Sequence, residues 1–415
     1  MELPKYGAFS SNCDNYCIFE NSGRGNGKMK RILLLTDLSS GYSRNMIKGV
    51  VNYSNKFGPW IFYRIPIYYR ELYGDEGVVM WAKKWNADAI IAQFSNVNVK
   101  ALKNLKIPIV IQNYKDRSSS ISNLTGDYYN TGVLAADFFI QKGFRFFAYY
   151  SSSETVWMRE RRDGFVDTIE KKGYDVYLFH EPVDISKSEK WGYDMNAVSN
   201  WLLGLPKPVA LFACDDQYAL QITEVCKMLN INVPNDIAVL GVDNDELLCS
   251  ISNPTLSSIE LDTINGGYEL GKLLHDLIEG RKKPPENIVI KPLRIVTRQS
   301  TERFGVNNKN IEKILKYIEL NYMKSLCVTD IISISTFSRR VLEKLFKKET
   351  GTSIYQYIQQ FRIEKFAELL ITTDLSLVDA AYKCGFEDYK NVSRIFSKIK
   401  VYTPLQYKKK FGRKL

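Results

Sequence analysis

The chain has 415 residues, of which 45% are apolar and 25% charged, and it carries a net charge of +11. This length predicts two or three domains, and the composition excludes disorder for most of the chain. No apolar run reaches the roughly 18 residues of a membrane span, and the first 28 residues lack the basic start and apolar core of a secretory signal. A cytoplasmic protein without a membrane partner is therefore expected.

The excess positive charge is confined to one end of the chain. Residues 306–415 contain 21 Lys and Arg against 11 Asp and Glu, so this segment accounts for +10 of the net +11. A concentrated positive field is what a module that binds nucleic-acid phosphates requires. A merely solubilising basic tail would lack apolar periodicity, whereas this segment has a strong helical pattern.

In chain order, residues 1–28 are rich in Asn, Ser and Gly and show no periodicity. They predict a disordered leader or a mis-assigned start codon, with Met29 as the alternative start. Short apolar runs then alternate with amphipathic segments of helix length. We expect strands at 32–35, 61–67, 89–94, 107–111, 146–150, 209–213 and 237–242, and helices at 44–57, 128–142, 159–172 and 218–229. This alternation predicts an α/β fold of doubly wound parallel sheets over 29–300, divided into two lobes because one core would be too large.

Polar side chains follow several of these strands, and ligands bind beyond the carboxyl ends of strands in such sheets. The candidate ligand-binding residues are Asp37, Tyr42, Gln93, Asp127, Trp157, Arg161, Asp215 and Asp243. Their carboxylate, amide and guanidinium groups are suited to hydrogen-bond a ring of hydroxyls, and the aromatic rings of Tyr42 and Trp157 are suited to stack on a sugar face. The alternative is that strand-end Asp residues cap the next helix, as expected for Asp216.

Signs of catalysis or metal binding are weak. The only histidines, His180 and His275, are not at metal-ligand spacing and accompany no nucleophile motif. The seven cysteines form no CxxC pair, so most are expected to be reduced core residues, and Cys13 and Cys17 are a poor candidate for a metal site. We therefore expect neither catalytic residues, a metal nor a cofactor.

After a short linker at 301–309, the segment 310–415 is expected to be entirely helical. The predicted helices are 311–323, 328–333, 338–350, 354–370, 377–383 and 389–400. One pattern occurs twice, since Leu342 and Phe346 recur fifty residues later as Val392 and Phe396. A duplicated supersecondary unit with the layout of a DNA-reading helix pair explains the repeat.

This tail resembles the paired helix-turn-helix domain of AraC-family transcription regulators. The resemblance rests on Ser338-Arg339-Arg340-x-Leu342-Glu343-Lys344-x-Phe346, on Cys384-Gly385-Phe386-Glu387-Asp388 and on Thr403-Pro404-x-x-Tyr407. It implies two recognition helices, near 338–349 and 389–399, that enter double-stranded DNA in successive major-groove segments about 34 Å apart.

By the same resemblance, base and phosphate contacts are made by Arg340, Glu343, Lys344, Tyr389, Lys390 and Arg394. Helical spacing independently places these residues opposite the apolar Leu342 and Phe346 or their counterparts. The chain departs from the family pattern at Thr336, which stands where a turn glycine is usual. The first unit is therefore expected to pack differently from the second.

Residues 30–300 resemble the sugar-sensing domain of LacI-type repressors and periplasmic sugar-binding proteins. The resemblance rests on Phe212-Ala213-Cys214-Asp215-Asp216-Gln217 and on Val239-Leu240-Gly241-Val242-Asp243-Asn244. It implies that Asp127, Arg161, Asp215 and Asp243 contact the ligand.

A sensor placed before an AraC-type tail resembles the domain order of xylose-responsive activators. This order implies a DNA-binding regulator of a sugar-utilisation operon, with xylose or another pentose as effector. A homodimer formed through the sensor and, for an activator, RNA polymerase are the implied protein partners. Two alternatives stay open at this point: a sugar-processing enzyme, or a sugar-binding protein, with a DNA-binding appendage.

Overall fold

The computed structural model describes residues 29–65, 67–94, 102, 104–113, 117–151, 155–180, 194–306, 308–400 and 402–411. Two α/β lobes, each built on a six-stranded sheet, are followed within these residues by a helical domain. The predicted leader and the Cys13 and Cys17 pair lie outside the described residues.

The first lobe is built on a parallel sheet. Its strands are β1 (Lys30–Leu35), β2 (Trp60–Arg64), β3 (Ala89–Phe94), β4 (Ile109–Asn113), β5 (Ser122–Gly126) and β11 (Asn287–Ile290), in the order β11-β5-β4-β3-β1-β2. Helices α1 (Gly41–Phe57) and α8 (Thr263–Ile278) pack against each other beside it, and α2 (Ile67–Lys84) follows β2. A Cβ on Gly49 of α1 would lie 2.0 Å from the Ile264 carbonyl oxygen of α8, so only glycine allows this approach.

The second lobe repeats the arrangement. Its strands are β6 (Phe147–Tyr150), β7 (Val176–Leu178), β8 (Val209–Ala213), β9 (Ile237–Val242), β10 (Ser257–Leu261) and β12 (Pro292–Val296), in the order β12-β10-β9-β8-β6-β7. Its helices are α3 (Tyr128–Gln141), α4 (Val156–Glu170), α5 (Met195–Gly204), α6 (Asp216–Met228) and α7 (Glu246–Ile251). Only β12 among these strands pairs antiparallel, with β10. The predicted α/β fold with two doubly wound, largely parallel sheets is confirmed.

The chain passes between the lobes after β5, after β10 and between β11 and β12. These passages lie side by side, because the Asp127 amide donates to the Ile290 carbonyl at 2.7 Å and the Asp262 amide donates to the Lys291 carbonyl at 2.9 Å. They form the hinge, and the cleft between the lobes lies at the carboxyl ends of the strands.

Two predicted strands end at different residues in the structure. The strand expected at 61–67 ends at Arg64, because its parallel partner β1 provides ladder partners only as far as Leu34, and α2 then begins at Ile67. The strand expected at 107–111 runs instead from Ile109 to Asn113, because β3 continues opposite it to Phe94.

Seven helices form the described part of the C-terminal domain. They are α9 (Lys309–Asn321), α10 (Val328–Ser333), α11 (Arg339–Thr350), α12 (Ile354–Thr372), α13 (Leu377–Lys383), α14 (Tyr389–Lys400) and α15 (Pro404–Phe411). They enclose two apolar cores, one around Leu342 and Phe346 and the other around Val392 and Phe396, and the long helix α12 contributes to both. The duplicated pattern thus marks the buried face of each unit.

The segment before this domain is not a free tether. Phe304 and Val306 are 1% and 2% exposed and belong to the first apolar core of the C-terminal domain. The linker predicted at 301–309 therefore includes residues that are packed. No helix in the described ranges is both long and apolar enough to cross a membrane.

Candidate functional sites

Arg161 and Asp243 face each other at the carboxyl ends of the second-lobe strands. The Arg161 side chain is 3% exposed, and its Nη2 lies 3.6 Å from Asp243 Oδ1. The guanidinium also donates to the Cys214 carbonyl. Arg161 Nε and Asp243 Oδ1 are nevertheless buried without a hydrogen-bond partner in the described structure. Because an unsatisfied buried polar atom is costly, a donor and an acceptor in one place suit a polar ligand.

The backbone beside this pair is strained. Asp243 and Asn244 have φ values of 102° and 50°, in the left-handed region that side chains other than glycine rarely adopt. The loop is held by Ser258 Oγ, which accepts from the Asn244 amide at 2.9 Å, and by Arg298, which donates to Asn244 Oδ1 at 2.8 Å. Strain that the surroundings enforce is typical of a ligand site.

Electrostatics at the site favour the neutral form of its acids. Burial raises the pKa of Asp243 to about 7, although the Arg161 charge acts in the opposite direction. Burial likewise raises the pKa of Asp215, and burial together with nearby Tyr128 and Asp243 raises that of Tyr42. Burial lowers the pKa of Arg161, but the neighbouring negative charges outweigh this effect. A ligand that donates hydrogen bonds would stabilise the Asp243 carboxylate.

A chain of hydrogen bonds runs through the first-lobe side of the cleft. Ser43 Oγ donates to Gln93 Oε1 at 3.0 Å, and Gln93 Nε2 donates to Gln112 Oε1 at 2.7 Å. Gln112 Nε2 is 3.5 Å from Tyr128 Oη, and the Tyr128 ring centroid is 5.5 Å from the Arg161 guanidinium carbon. The predicted residue Gln93 is thus linked to the Arg161 site by this series of hydrogen bonds and by the Tyr128 ring.

Sequence reasoning overlooked Gln112 and Tyr128 in this chain. A sequence signal for Gln112 existed, since it directly follows the apolar run at 107–111; the structure then pairs it in register with Gln93. The apolar pattern around Tyr128 predicts a helix at 128–142, and nothing in that pattern indicates that Tyr128 faces the cleft.

The structure does not bring the other predicted residues together as directly. The Asp37 carboxylate accepts from the Ser39 amide at 2.9 Å, within its own turn. The Asp127 carboxylate accepts from Asn130 Nδ2, also at 2.9 Å, at the hinge. Trp157 is half-buried against the core. These ligand assignments stay predictions.

The capping prediction for Asp216 is wrong. The cap of α6 is Asp215, whose Oδ1 accepts from the Tyr218 amide at 3.0 Å. Asp216 is instead the first residue of the helix, 2% exposed, and its Oδ2 accepts from the Asp245 amide at 2.8 Å. The helix begins at Asp216, two residues before the predicted start at 218, so Asp216 lies in its first turn and the preceding Asp215 caps it.

Besides the contact of Gln112 with Tyr128, the described residues include two other groups of polar contacts that join the lobes across the cleft, and neither was predicted. Asp245 Oδ2 accepts from the Gly41 amide at 2.8 Å and from Arg44 Nη2 at 3.2 Å. On a second path, Arg117 Nη2 donates to Glu160 Oε2 at 2.7 Å. The lobes are therefore held together by groups outside the Arg161 and Asp243 pair.

The predicted DNA-contacting side chains project from α11 and α14. Arg340, Glu343, Lys344, Lys390 and Arg394 are exposed, and Tyr389 is half-buried against the second apolar core. Glu343 Oε1 accepts from Arg339 Nε at 3.0 Å within α11. The cationic side chains on each helix are therefore exposed to solvent. Their contacts with DNA stay predictions.

The remaining reactive residues have structural surroundings. Cys214, Cys226, Cys249 and Cys384 are buried and free, whereas Cys327 is exposed. His275 Nδ1 lies 2.9 Å from Tyr53 Oη within the first lobe. Among the described residues, no three His, Cys, Asp or Glu side chains form a group that could hold a metal ion.

Comparison with known protein families gives a match for each of the two domains. A periplasmic binding protein-like domain matches residues 136–301, and a helix-turn-helix domain matches residues 333–410. The chain thus combines a periplasmic-binding-protein-like sensing domain with an AraC-type helix-turn-helix domain and is a transcription regulator.

Individual relatives align with almost the whole chain. The xylose operon regulatory protein of Escherichia coli K12 is 28% identical over 390 residues, which cover 92% of this chain and 97% of that protein. Its counterpart from Haemophilus influenzae is 28% identical over 386 residues, covering 91% and 98%. A solved structure of the xylose-binding transcription activator xylR is 27% identical, with a TM-score of 0.57, over 93% of this chain and 99% of that one.

The organisation of the chain is therefore that of the xylose operon regulators. These relatives are regulators rather than enzymes, which confirms the expectation from the sequence on that point.

Proposed function

We propose that the chain activates transcription of a sugar-utilisation operon when xylose or another pentose binds between the lobes of its sensing domain. The observation that carries the proposal is the pair of unsatisfied buried atoms, Arg161 Nε and Asp243 Oδ1. A sugar hydroxyl both donates and accepts, so neighbouring hydroxyls would satisfy both atoms at once. The relatives regulate xylose operons, and the solved relative is a xylose-binding activator.

The proposed sugar contacts are Arg161, Asp215 and Asp243, with Asp127 at the hinge and Asp37 and Gln93 on the first-lobe side. Tyr42 and Trp157 would cover the apolar faces of the ring. A sugar held by groups of both lobes favours the closed arrangement, and only a difference in affinity between the two arrangements can shift their populations.

A thermal-shift screen of the full chain against D-xylose, L-arabinose, D-ribose and D-glucose tests the effector. At a sugar concentration a hundred times Kd, stabilisation of about 3 kcal/mol is expected. Only one of the pentoses should raise Tm, and Asp243→Ala should abolish that rise. If none of the sugars shifts Tm, or the variant binds the sugar with unchanged Kd, the assignment of this site is wrong.

For DNA, we propose that α11 and α14 enter successive major-groove segments on one face of the duplex. Arg340, Glu343, Lys344, Tyr389, Lys390 and Arg394 would make the base and phosphate contacts. The exposed cations on the two helices and the +10 charge of residues 306–415 support this role.

The other parts of the proposal concern assembly. We propose a cytoplasmic homodimer formed through the sensing domain that contacts RNA polymerase at the promoter. The functional division is a sensing domain at 29–300, a connection at 301–309 and a DNA-binding domain at 310–415. Sedimentation of the full chain with and without D-xylose tests the dimer; a monomer under both conditions would contradict it.

A further inference from the structure

Helix α3 reaches from the cleft to the DNA-binding domain. At its first residue, the Tyr128 ring lies against the Arg161 guanidinium, with 5.5 Å between the ring centroid and Cζ. Its C-terminal cap is Lys142, which is 6% exposed. One rigid element therefore has one end at the candidate sugar site and the other end at the second domain.

Lys142 makes a largely buried polar contact between the domains. Its Nζ lies 3.4 Å from Glu319 Oε1 of α9 and 4.5 Å from the centroid of the Phe304 ring. Its carbonyl accepts from the Gly305 amide at 2.8 Å. Burial lowers the pKa of Lys142, and the Glu319 carboxylate counteracts that shift. A buried charge held by one carboxylate depends on that partner staying in place.

The residues after α3 contact the end of the first recognition helix. Arg145 Nη2 donates to the Lys348 carbonyl near the C-terminus of α11. A Cβ on Gly143 would lie 3.0 Å from Val306 Cγ1 and 3.5 Å from the Glu349 carbonyl oxygen. This close approach fixes α11 relative to the second lobe.

A separate contact reaches the helix shared by the two DNA-binding units. Arg294 of β12 donates through Nε to Glu260 at 2.7 Å and through Nη1 to Glu368 of α12 at 3.3 Å. Glu368 also accepts from Lys365 at 3.0 Å. The contact is half-exposed, so it is a weaker attachment than that of Lys142.

Both elements that hold the DNA-binding domain start at the hinge. Helix α3 begins directly after Asp127, and β12 begins directly after Lys291. The Asp127 amide donates to Ile290 at 2.7 Å, so the two starting points are joined. A change in the angle between the lobes therefore reorients α3 and β12 together.

We propose that the C-terminal end of α3 and strand β12 form the surface by which the sensing domain holds its own DNA-binding domain, and that this surface passes lobe closure to both recognition helices. The identity of the closing ligand rests on the proposed function; the docking itself does not. Arg340 and Arg394 are exposed in the docked arrangement, so the surface orients the DNA-reading helices rather than covering them.

Hydrogen exchange on the full chain tests the docking without any ligand. In Glu319→Gln/Glu368→Gln, amides of α9 and α12 should exchange about tenfold faster than in the wild type, because the domain is released from its support. Glu312→Gln is the matched control, since it removes a carboxylate from the same helix, where Glu312 pairs with Lys316 at 3.1 Å within the DNA-binding domain. Unchanged exchange in the double variant would overturn the docking role.

The single variant Glu368→Gln is also tested, because it keeps the pair of Lys142 with Glu319 and so avoids a folding defect caused by an unpaired Lys142. It should accelerate exchange in α12 by a smaller factor while the sensing domain keeps its wild-type protection. If this variant and the Glu312→Gln control behave alike and the double variant does not fold, the β12 part of the surface is refuted.

Adding D-xylose tests the transmission. In the wild type, protection should increase at the cleft and also at α9 and α12; in the double variant it should increase at the cleft alone. Persistence of the distant protection in the double variant would overturn the transmission. If D-xylose protects no cleft segment even in the wild type, the effector assignment fails, and the ligand-free comparison still decides the docking.

Discussion

Asp245 of the second lobe accepts a hydrogen bond from the Gly41 amide of the first lobe at 2.8 Å. The bond is buried, and it places a carboxylate at the N-terminal end of α1, where the helix dipole favours negative charge. Because the two residues belong to different lobes, the contact exists only when the lobes are close together.

Replacing Gly41 should therefore weaken effector binding, although Gly41 is not one of the proposed sugar contacts. In Gly41→Ala the added Cβ would lie 2.5 Å from Asp245 Oδ2, so the lobes must separate or the carboxylate must move. We expect a loss of about 1–2 kcal/mol in D-xylose affinity by calorimetry, in the range of a lost buried hydrogen bond. Gly204→Ala is the control, because nothing lies within 4 Å of its added Cβ. Equal affinities for the two variants would show that the contact does not influence closure.

The titration of Asp243 predicts a pH-dependent stability. Its pKa is about 7 in the folded chain, against an ordinary value of 3.8, because burial disfavours the carboxylate. The folded state therefore holds a proton that the unfolded state has released between these values. Stability should fall as pH rises through this window, by at most about 1.4 kcal/mol per pH unit from this residue.

Asp243→Asn removes the titration while keeping a side chain that tolerates a positive φ. Urea unfolding of the ligand-free chain at pH 5 and 7 should show a smaller loss of stability in the variant than in the wild type. Identical losses would assign the pH dependence to other groups, such as Asp215, whose pKa burial also raises.

Helices α3 and α4 meet at two glycines. A Cβ on Gly132 would lie 2.1 Å from the Arg161 carbonyl oxygen, and one on Gly164 would lie 2.0 Å from that of Tyr129. Backbone atoms cannot yield as side chains do, so Gly132→Ala should destabilise the chain by about 1–3 kcal/mol in urea unfolding. It should also displace Arg161 and weaken sugar binding. Wild-type stability in this variant would mean that the helices separate without cost.

Arg394→Ala should reduce affinity for a specific DNA site by about 1–3 kcal/mol and relax the preference at one base pair. A site selected in vitro from random DNA and titrated by fluorescence anisotropy at two salt concentrations provides the measurement. Lys316→Ala, which removes a cation from α9 instead of a recognition helix, should change only the salt-dependent affinity. If Arg394→Ala weakens all sequences equally, Arg394 contacts phosphate rather than a base.

The sequence predicted most accurately the elements whose apolar pattern is regular. Helices α10, α13 and α14 have the predicted bounds, and β3, β8 and β9 do as well. The pattern is clear because each helix buries one continuous stripe, whereas β8 and β9 are buried at every position and read as uninterrupted apolar runs. The buried partners of the repeat, Leu342 and Phe346, were identified for the same reason.

Strand β5 was missed because it has a single large apolar residue, Leu124, although all five of its residues are buried. Its polar groups are satisfied by distant segments: Asn123 Nδ2 donates to Asn287 Oδ1 at 2.8 Å, and Ser122 Oγ accepts from the Glu286 amide at 3.1 Å. No local pattern reveals such partners. The candidate site divides in the same way. Strand-end chemistry identified Asp243 and the family resemblance identified Arg161, but neither identified Gln112, Tyr128 or the interlobe Asp245.

The placement of β11 in the first sheet has a consequence for synthesis of the chain. This edge strand pairs with β5, yet Asn287 and Asn123 are 164 residues apart. At about 5–20 residues per second on the ribosome, the first lobe waits roughly 10–30 s for its last strand. During that time the second lobe, whose strands β6 to β10 are consecutive, can assemble most of its sheet. The first lobe thus receives its last strand only after strands β6 to β10 of the second lobe have been translated.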